Sequence, residues 1–455
     1  MSTPPPSGTV SADRAAPRGD WEADVAVRAA GPEPVPHVIA WNLTRRCNLE
    51  CSHCYISAGS WQAADGELPT ADCLRVVDQI LAVSPAPMLI LSGGEPLLRE
   101  DLETIARRAA DGGATVVVGT NGTRLTRERI ASLVAAGVRG VAVSIDSLDR
   151  AYHDRFRHGA GSLDETLAAV ERLRAAQLDF VVQTTVTRGN RHEIPRLAAW
   201  AAEKGAVSFN CYFVVATGRA SGMHGLSPRE NDEVLAELVC LGKEYRGRMM
   251  VRSKCQPQIM RHAHAGDPDS GLLDYATRCP CGVQYCRITP DGKVTPCPYM
   301  PVEAGDLGSA TFGEIWRGSQ VFRELREGGL GGRCGRCEFR IVCGGCRARA
   351  FAEEGDWLAE DPACSYEPTG RAPVVEPRLV AYGSAAKPTL AWSAAARERM
   401  GRVPGFVRGV VTARVEKYAA ERGYPIVTEE VIDEVRSALP IDFAKRRPFF
   451  LEERP

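Results

Sequence analysis

Trp41-Asn42-Leu43-Thr44-Arg45-Arg46-Cys47-Asn48-Leu49-Glu50-Cys51-Ser52-His53-Cys54-Tyr55 places three cysteines within eight residues, directly behind the apolar run Val38-Ile39-Ala40-Trp41. The run predicts a strand, so the cysteines sit on the loop at its end. Thiolates at these spacings can fold around three corners of an iron-sulfur cube without help from distant chain. One iron is then left without a protein ligand and can bind a small chelating molecule. A structural zinc site, by contrast, closes on four protein ligands. The missing fourth cysteine favours a reactive cluster.

Downstream, apolar runs alternate with segments of helical period. Met88 to Leu91, Thr115 to Val118, Val141 to Ser144, Val181 to Thr184 and Phe209 to Val215 predict strands; Leu74 to Val83 and Ile130 to Ala136 predict helices. A further helix is expected from Ser162, with Glu165 completing a capping box. Alternation of this kind implies an α/β fold, a parallel sheet with helices outside it. Six such units, counting the one at Val38, are too few for a closed eight-stranded barrel. Active sites of such sheets gather at the C-terminal strand ends, where Ser92-Gly93-Gly94-Glu95-Pro96, Thr120-Asn121-Gly122 and Ser144-Ile145-Asp146-Ser147 fall. Glycines there permit close backbone approach, and a carboxylate can take a bond from an ammonium group.

Cys-x3-Cys-x2-Cys followed by an aromatic residue, with Gly-Gly-Glu-Pro about forty residues on, resembles the radical S-adenosylmethionine (SAM) enzymes. The resemblance implies a partial (β/α)6 barrel over 34–248 and a 4Fe-4S cluster on Cys47, Cys51 and Cys54. SAM would be chelated on the open iron and cleaved to a 5'-deoxyadenosyl radical. It assigns Gly93, Gly94 and Glu95 to the amino group of SAM, and Asn121, Ser144 and Asp146 to its ribose and carboxylate. An Asn-Gly turn and a strand-end cap are the plainer roles for those last residues. Arg219, after Phe213-Val-Val-Ala-Thr-Gly218, is either a cleft residue for a carboxylate or phosphate or a solvated loop arginine.

Composition bounds the alternatives. The 455 residues carry 44% hydrophobic and 25% charged residues, with a formal net charge of −1. That leaves material for about three domains and argues against a general nucleic-acid binder. No run long and apolar enough for a membrane span occurs, and the N-terminus lacks an apolar signal core, so a cytoplasmic location is expected. Sixteen cysteines then point to metal or cluster binding rather than disulfides.

Nine of them fall between 279 and 364: Cys279, Cys281, Cys286, Cys297, Cys334, Cys337, Cys343, Cys346 and Cys364. Arg287 to Cys297 predicts a hairpin turning at Asp291-Gly292, which would bring Cys297 beside Cys286. Paired Cys-x2-Cys spacings also suit zinc ribbons. The hairpin cysteine and the Cys-x2-Cys-x5-Cys run resemble the SPASM extension of radical SAM enzymes, expected here over 249–366. By that resemblance Cys334, Cys337, Cys343 and Cys364 hold one auxiliary 4Fe-4S cluster. Cys286, Cys297, Cys346 and one of Cys279 or Cys281 hold another. The usual terminal Cys-x3-Cys is replaced by Cys343-Gly-Gly-Cys346, so the partition departs from the pattern.

Residues 1–33 predict a disordered leader and 367–388 a linker. Beyond it, Val403, Phe406, Val407, Val410, Val411, Val415 and Tyr418 keep helical period up to a cap at Gly423, and a second helix follows Thr428. Tyr285-Cys-Arg-Ile-Thr-Pro, Val294-Thr-Pro-Cys-Pro-Tyr-Met-Pro and Cys343-Gly-Gly-Cys-Arg-Ala-Arg-Ala resemble radical SAM enzymes that trim tetrapyrrole side chains in haem b and haem d1 biosynthesis. Val403-Pro-Gly-Phe, Val415-Glu-Lys-Tyr and Thr428-Glu-Glu-Val, within 389–455, resemble the small C-terminal domain of light-independent protochlorophyllide reductase. Together these imply a tetrapyrrole substrate that loses carbon dioxide from propionate side chains, iron-coproporphyrin III or a siroheme-derived intermediate. An electron donor such as ferredoxin or flavodoxin is implied, with an auxiliary cluster as acceptor of the leftover electron. A peptide-modifying SPASM maturase is the second enzyme reading; an iron-sulfur carrier or zinc-stabilised binding protein is the third.

Overall fold

The computed structural model describes residues 34–84, 86–274, 278–370, 372–376, 388–401, 403 and 405–438. The expected leader, most of the expected linker and the last seventeen residues lie outside the described residues.

Ten strands form one sheet: β1 (Val38–Asn42), β2 (Met88–Ser92), β3 (Thr115–Thr120), β4 (Val138–Ser144), β5 (Asp179–Val186), β6 (Ser208–Phe213), β7 (Met250–Lys254), β8 (Tyr285–Ile288), β9 (Lys293–Thr295) and β10 (Gly305–Asp306). Their order is β10-β9-β8-β1-β2-β3-β4-β5-β6-β7. All neighbours from β8 to β7 are parallel, and β8–β9–β10 finish antiparallel. The six expected strands are present in the expected order. Two more, β7 and β8, extend the parallel series at its two ends, so the sheet runs on past residue 248. Met-Val-Arg-Ser-Lys and Tyr-Cys-Arg-Ile are too short and too polar to announce themselves; neighbouring strands supply what propensity does not.

Pleating sends alternate side chains to opposite faces. Ile39, Trp41, Leu89, Leu91, Val116 and Val118 point outward, where Val76, Val77 and Ile80 of helix Thr70–Val83 and Ile105 of Leu102–Asp111 cover them. Trp41 is fully buried, and burying a side chain of that kind contributes about 1.5–3 kcal/mol. The opposite face stays polar toward the C-terminal strand ends. Its register sets Ser144, Gln183, Asn210 and Arg252 in one row, and Thr185, Tyr212 and Lys254 in the next.

The capping box expected at Ser162 is not formed. Gly161, at φ +78°, precedes helix Ser162–Ala175, and the Ser162 hydroxyl donates instead to Asp154 at 3.0 Å. Asp154 also accepts the Gly161 and Leu163 N–H groups, so an acid from the preceding helix does the capping. Capping boxes do form at Ser227/Glu230 and Thr311/Glu314.

The C-terminal segment has its own small core. Helices Ala394–Gly401, Gly405–Glu421 and Glu429–Ala438 enclose Trp392, Met400, Val415, Val427 and Val431 beside a parallel pair, β11 (Ala391–Trp392) and β12 (Ile426–Val427). The expected helical hairpin is thus one part of a three-helix unit. Gly423 takes φ +73° at its predicted cap. Glu416 accepts from the Trp392 indole at 2.8 Å and the Thr389 N–H at 2.9 Å, tying the unit's entry to its long helix. Val403 packs with Val38, Met88, Ile90 and Tyr285, which joins this unit to the main sheet.

Candidate iron-sulfur and cofactor site

Beyond Asn42 the chain leaves the sheet and turns back, so Cys47, Cys51 and Cys54 share one pocket with Leu49, Ile56 and Ala58. Several contacts fix this loop. The Leu49 N–H points at Cys47 Sγ (3.4 Å) and the Ala58 N–H at Cys54 Sγ (3.3 Å), donors that favour thiolates over thiols. Burial pushes the Cys47 thiol up to about 12, so the group needs cationic iron to be charged. The three thiols and their N–H donors therefore fit the cluster that the spacing implies. When bound there, a 4Fe-4S cluster with SAM supplies one-electron chemistry and a carbon radical.

The Gly-Gly-Glu segment lies against the loop's entry. Gly94 N–H donates to Thr44 O (2.7 Å) and Glu95 N–H to Arg46 O (2.9 Å). A Cβ on Gly94 would stand 2.2 Å from Arg46 O, and one on Gly93 2.6 Å from Thr44 O. Only glycine allows that approach. Glu95 itself is fully buried, and its carboxylate accepts from Thr120 Oγ1 (2.8 Å), Asn121 N (2.9 Å) and Leu97 N (3.1 Å). It laces the ends of β2 and β3 together, an organising role that the resemblance to a SAM-amine ligand did not include. Asn121 turns its amide to Asn48 Oδ1 (3.0 Å) and toward Cys47 Sγ (3.9 Å), so it belongs to the cysteine loop.

Asp146 differs from the SAM contact that the resemblance implies. It is fully buried, paired with Arg157 at 2.8 Å and accepting the Thr185 N–H at 2.7 Å. Arg157 lies close enough to Cys51 and Cys47 for their charges to interact, so the pair sets a buried cation beside the loop. Ser144 keeps its place on the inner face of β4. His53, within the cysteine motif, stacks on Phe156 at 4.5 Å, and burial lowers it to about 4, so it stays neutral.

Arg219 is tied to the cysteine loop and not solvated: its Nε donates to Cys51 O (2.8 Å) and Nη1 to Ala58 O (2.6 Å), with the guanidinium 5.5 Å from the Trp61 ring. Gly218, at φ +58°, lies so near Cys54 and Tyr55 that a Cβ would fall 2.5 Å from their backbone. Residue 219 thus clamps a loop more than 160 positions earlier. Arg219→Ala is expected to cost about 2–3 kcal/mol of stability and to speed loss of cluster iron to a chelator; urea titration and iron release measure both.

The second cysteine field divides into two groups. Cys334, Cys337, Cys343 and Cys364 lie together, as the resemblance implies. In the other, Cys255 faces Cys346 and Cys297, while Cys281 faces Cys297 and stands 3.3 Å from Cys279. Cys286 does not join them. It points outward from β8 into the packed core, fully buried, because Tyr285 and Arg287 take the inner face. Cys255, which has no partner at ligand spacing in the sequence, stands where Cys286 was expected, and a left-handed backbone (φ +61°) at the end of β7 turns it there. Among the described residues no three such groups converge as a single ion requires; ligands of a cubane stand on separate irons. Asp361 organises the field, accepting from Cys346 N (2.7 Å), Gln258 (2.8 Å), Ala363 N (3.0 Å) and Arg349 (3.1 Å).

Between the two cysteine regions lies an aromatic interior. Tyr55, Tyr212, Tyr285 and Tyr299 come from four separate segments yet stand within electrostatic reach of one another, because the sheet curls. Tyr55 accepts from Asn42 (2.7 Å) and is covered by the Arg287 guanidinium at 5.6 Å. His262 is bonded to Asp232 at 2.9 Å.

A curled parallel sheet with three clustered thiols at one strand end and a cysteine-rich extension is the arrangement of a known class. The chain belongs to the radical SAM superfamily, whose model matches residues 41–201, and an iron-sulfur cluster-binding (SPASM) domain matches 279–338. It is an enzyme of that class, with SAM and iron-sulfur clusters as its cofactors. Residues 392–436 match the proto-chlorophyllide reductase 57 kD subunit.

Among its relatives, the AdoMet-dependent heme synthase of Methanosarcina barkeri is 40% identical, over 73% of this chain and 97% of the relative. The pre-heme d1 synthase of Dinoroseobacter shibae is 31% identical, over 74% and 88%. The mycofactocin maturase MftC of Mycobacterium tuberculosis is also 31% identical, over 72% and 83%. The crystal structure of Streptococcus suis SuiB bound to S-adenosylmethionine superposes with a TM-score of 0.61 at 13% identity, covering 76% of this chain and 80% of that one. Among the described residues no helix is long and apolar enough to cross a membrane.

Proposed function

We propose that this enzyme oxidatively decarboxylates propionate side chains of a tetrapyrrole, with iron-coproporphyrin III or a siroheme-derived intermediate as substrate. The observation that carries this is the interior between the two cysteine regions. Four tyrosines offer flat apolar faces to a macrocycle, and Arg252, Lys254 and Arg287 offer cations to its carboxylates. The 40% identity to a heme synthase supports the same substrate class.

The net change balances as propionate giving vinyl plus carbon dioxide, one hydrogen atom and one electron. The hydrogen atom would end on 5'-deoxyadenosine, and the electron would pass to an acceptor that the SPASM thiols would hold. Cys47, Cys51 and Cys54 would hold the SAM-binding cluster. Cys334, Cys337, Cys343 and Cys364 would hold one auxiliary cluster, and four of Cys255, Cys279, Cys281, Cys297 and Cys346 a second. Glu95 keeps the strand ends in place, Ser144 faces the interior where SAM would lie, and the tyrosines exclude water from the radical. A ferredoxin or flavodoxin is the reductant expected.

The 31% identity to a mycofactocin maturase supports a peptide as the second substrate class. The deciding experiment reduces the anaerobically reconstituted protein with SAM and iron-coproporphyrin III, then follows 5'-deoxyadenosine and product mass. Mass loss in steps of carbon dioxide is expected. Deoxyadenosine without it would overturn the decarboxylase reading and turn attention to peptides.

A further inference from the structure

Arg252 and Lys254 end β7 on its inner face, two residues apart and therefore on the same side of the strand. Val251, one position before Arg252, points outward into the core. Lys254 shares a register row with Tyr212, whose hydroxyl accepts from Gln183 at 3.3 Å; Arg252 shares a row with Asn210, Gln183 and Ser144. Neither cation is paired with a carboxylate among the described residues; the Cys255 thiol stands within electrostatic reach of Lys254, and the Arg252 guanidinium hydrogen-bonds there only to the Met250 sulfur at 3.1 Å. Two neighbouring cations with no carboxylate between them repel, and the repulsion is relieved by a further anion.

We infer that Arg252 and Lys254 are the anchor for the substrate carboxylates that are not reacting, a specificity-determining pair; this rests on the tetrapyrrole reading above. The spacing suits it. From Ser144 to Arg252 is three strand separations, about 14 Å along the sheet, comparable to a macrocycle with its side chains. A side chain held at β7 would direct the opposite edge of the ring toward the loop after β1. Cys255 follows Lys254 and turns into the second thiol group, so the anchored edge lies beside the proposed electron acceptor. An arginine and a lysine also divide the labour: a planar fork for a bidentate carboxylate, and a point charge for another.

The test is an anaerobic absorbance titration of the reconstituted full chain with iron-coproporphyrin III and, separately, with its tetramethyl ester. Lys254→Met should weaken binding of the free acid by about 10- to 100-fold, the usual range for losing one charge-assisted bond. The double variant with Arg252→Met should weaken it further, and Lys254→Arg should restore most of it. Binding of the ester should be weak in the wild type and unmoved by the substitutions. Lys254→Gln replaces the methionine variant should that one fail to hold its iron. Equal losses for acid and ester, or unchanged binding of the acid in the variants, would overturn the anchor and leave the substrate reading standing. A wild type that binds neither porphyrin would overturn the substrate reading, and the anchor with it.

Discussion

Cys51→Ala is expected to abolish SAM cleavage while leaving the fold and the second cysteine field intact. Cys51 is the central thiol of the loop, within electrostatic reach of the Arg157 and Asp146 pair and of Cys54. Removing it leaves two thiols for an iron-sulfur cube, too few to hold three corners. The loop's shape does not depend on that sulfur. Arg219 bonds the Cys51 carbonyl oxygen, the Ser52 N–H donates to Phe156 O, and Gly218 packs on the Cys54 backbone. Circular dichroism and thermal midpoint should therefore stay close to those of the wild type, and iron bound by the second field should remain. 5'-Deoxyadenosine formation should fall by at least about a thousandfold, as when a group on which every step depends is removed. A rate within about tenfold of wild type would show that the cluster is held elsewhere.

What the sequence disclosed of this site is what short spacing encodes. The loop from Cys47 to Cys54, the Gly-Gly-Glu turn and the hairpin at Asp291-Gly292 are local, and each is where periodicity and turn chemistry put it. Asp146, Arg219 and Asp361 could not be assigned in that way. Asp146 meets Arg157 and Thr185, Arg219 reaches back to Cys51 and Ala58, and Asp361 collects Gln258, Cys346 and Arg349. Such partners are set by the curled sheet and not by neighbours in the chain. Cys286 and Cys255 exchange places for a similar reason. The resemblance makes Cys286 a ligand, but the pleat of β8 turns it outward, and only the turn after β7 brings Cys255 in. Strand polarity is legible in Arg287-Ile288, where a charge alternates with an apolar residue, and the same alternation sends Cys286 to the apolar side.

Asp146→Ala should be among the most destabilising single changes in the barrel. Asp146 is fully buried, and so, almost entirely, is its partner Arg157. Removing the carboxylate leaves an uncompensated guanidinium in the core and orphans the Thr185 N–H, which in comparable buried pairs costs about 3–5 kcal/mol. Urea denaturation of the reconstituted protein should show that loss. Removing both members, as Asp146→Ala with Arg157→Met, should recover much of it, because no charge is then left without a partner. The double variant separates the energy of the pair from its effect on the cluster: Arg157 stands beside Cys51 and Cys47, so its loss should also make the cluster harder to reduce, a shift that spectroelectrochemical titration reads. The pair leaves a mark on pH dependence too. Burial alone would raise the Asp146 carboxyl, but Arg157, with His53, His153 and the Thr185 N–H, holds it below its ordinary value. A depressed carboxyl contributes stability that is complete above its unfolded pKa of about 3.9 and is lost as pH falls through the folded value. Wild-type stability should therefore drop more steeply below about pH 4 than that of the double variant. Parallel acid limbs in the two proteins would mean that Asp146 is not ionised in the folded chain, and that Arg157 draws its compensation from the cluster sulfurs instead.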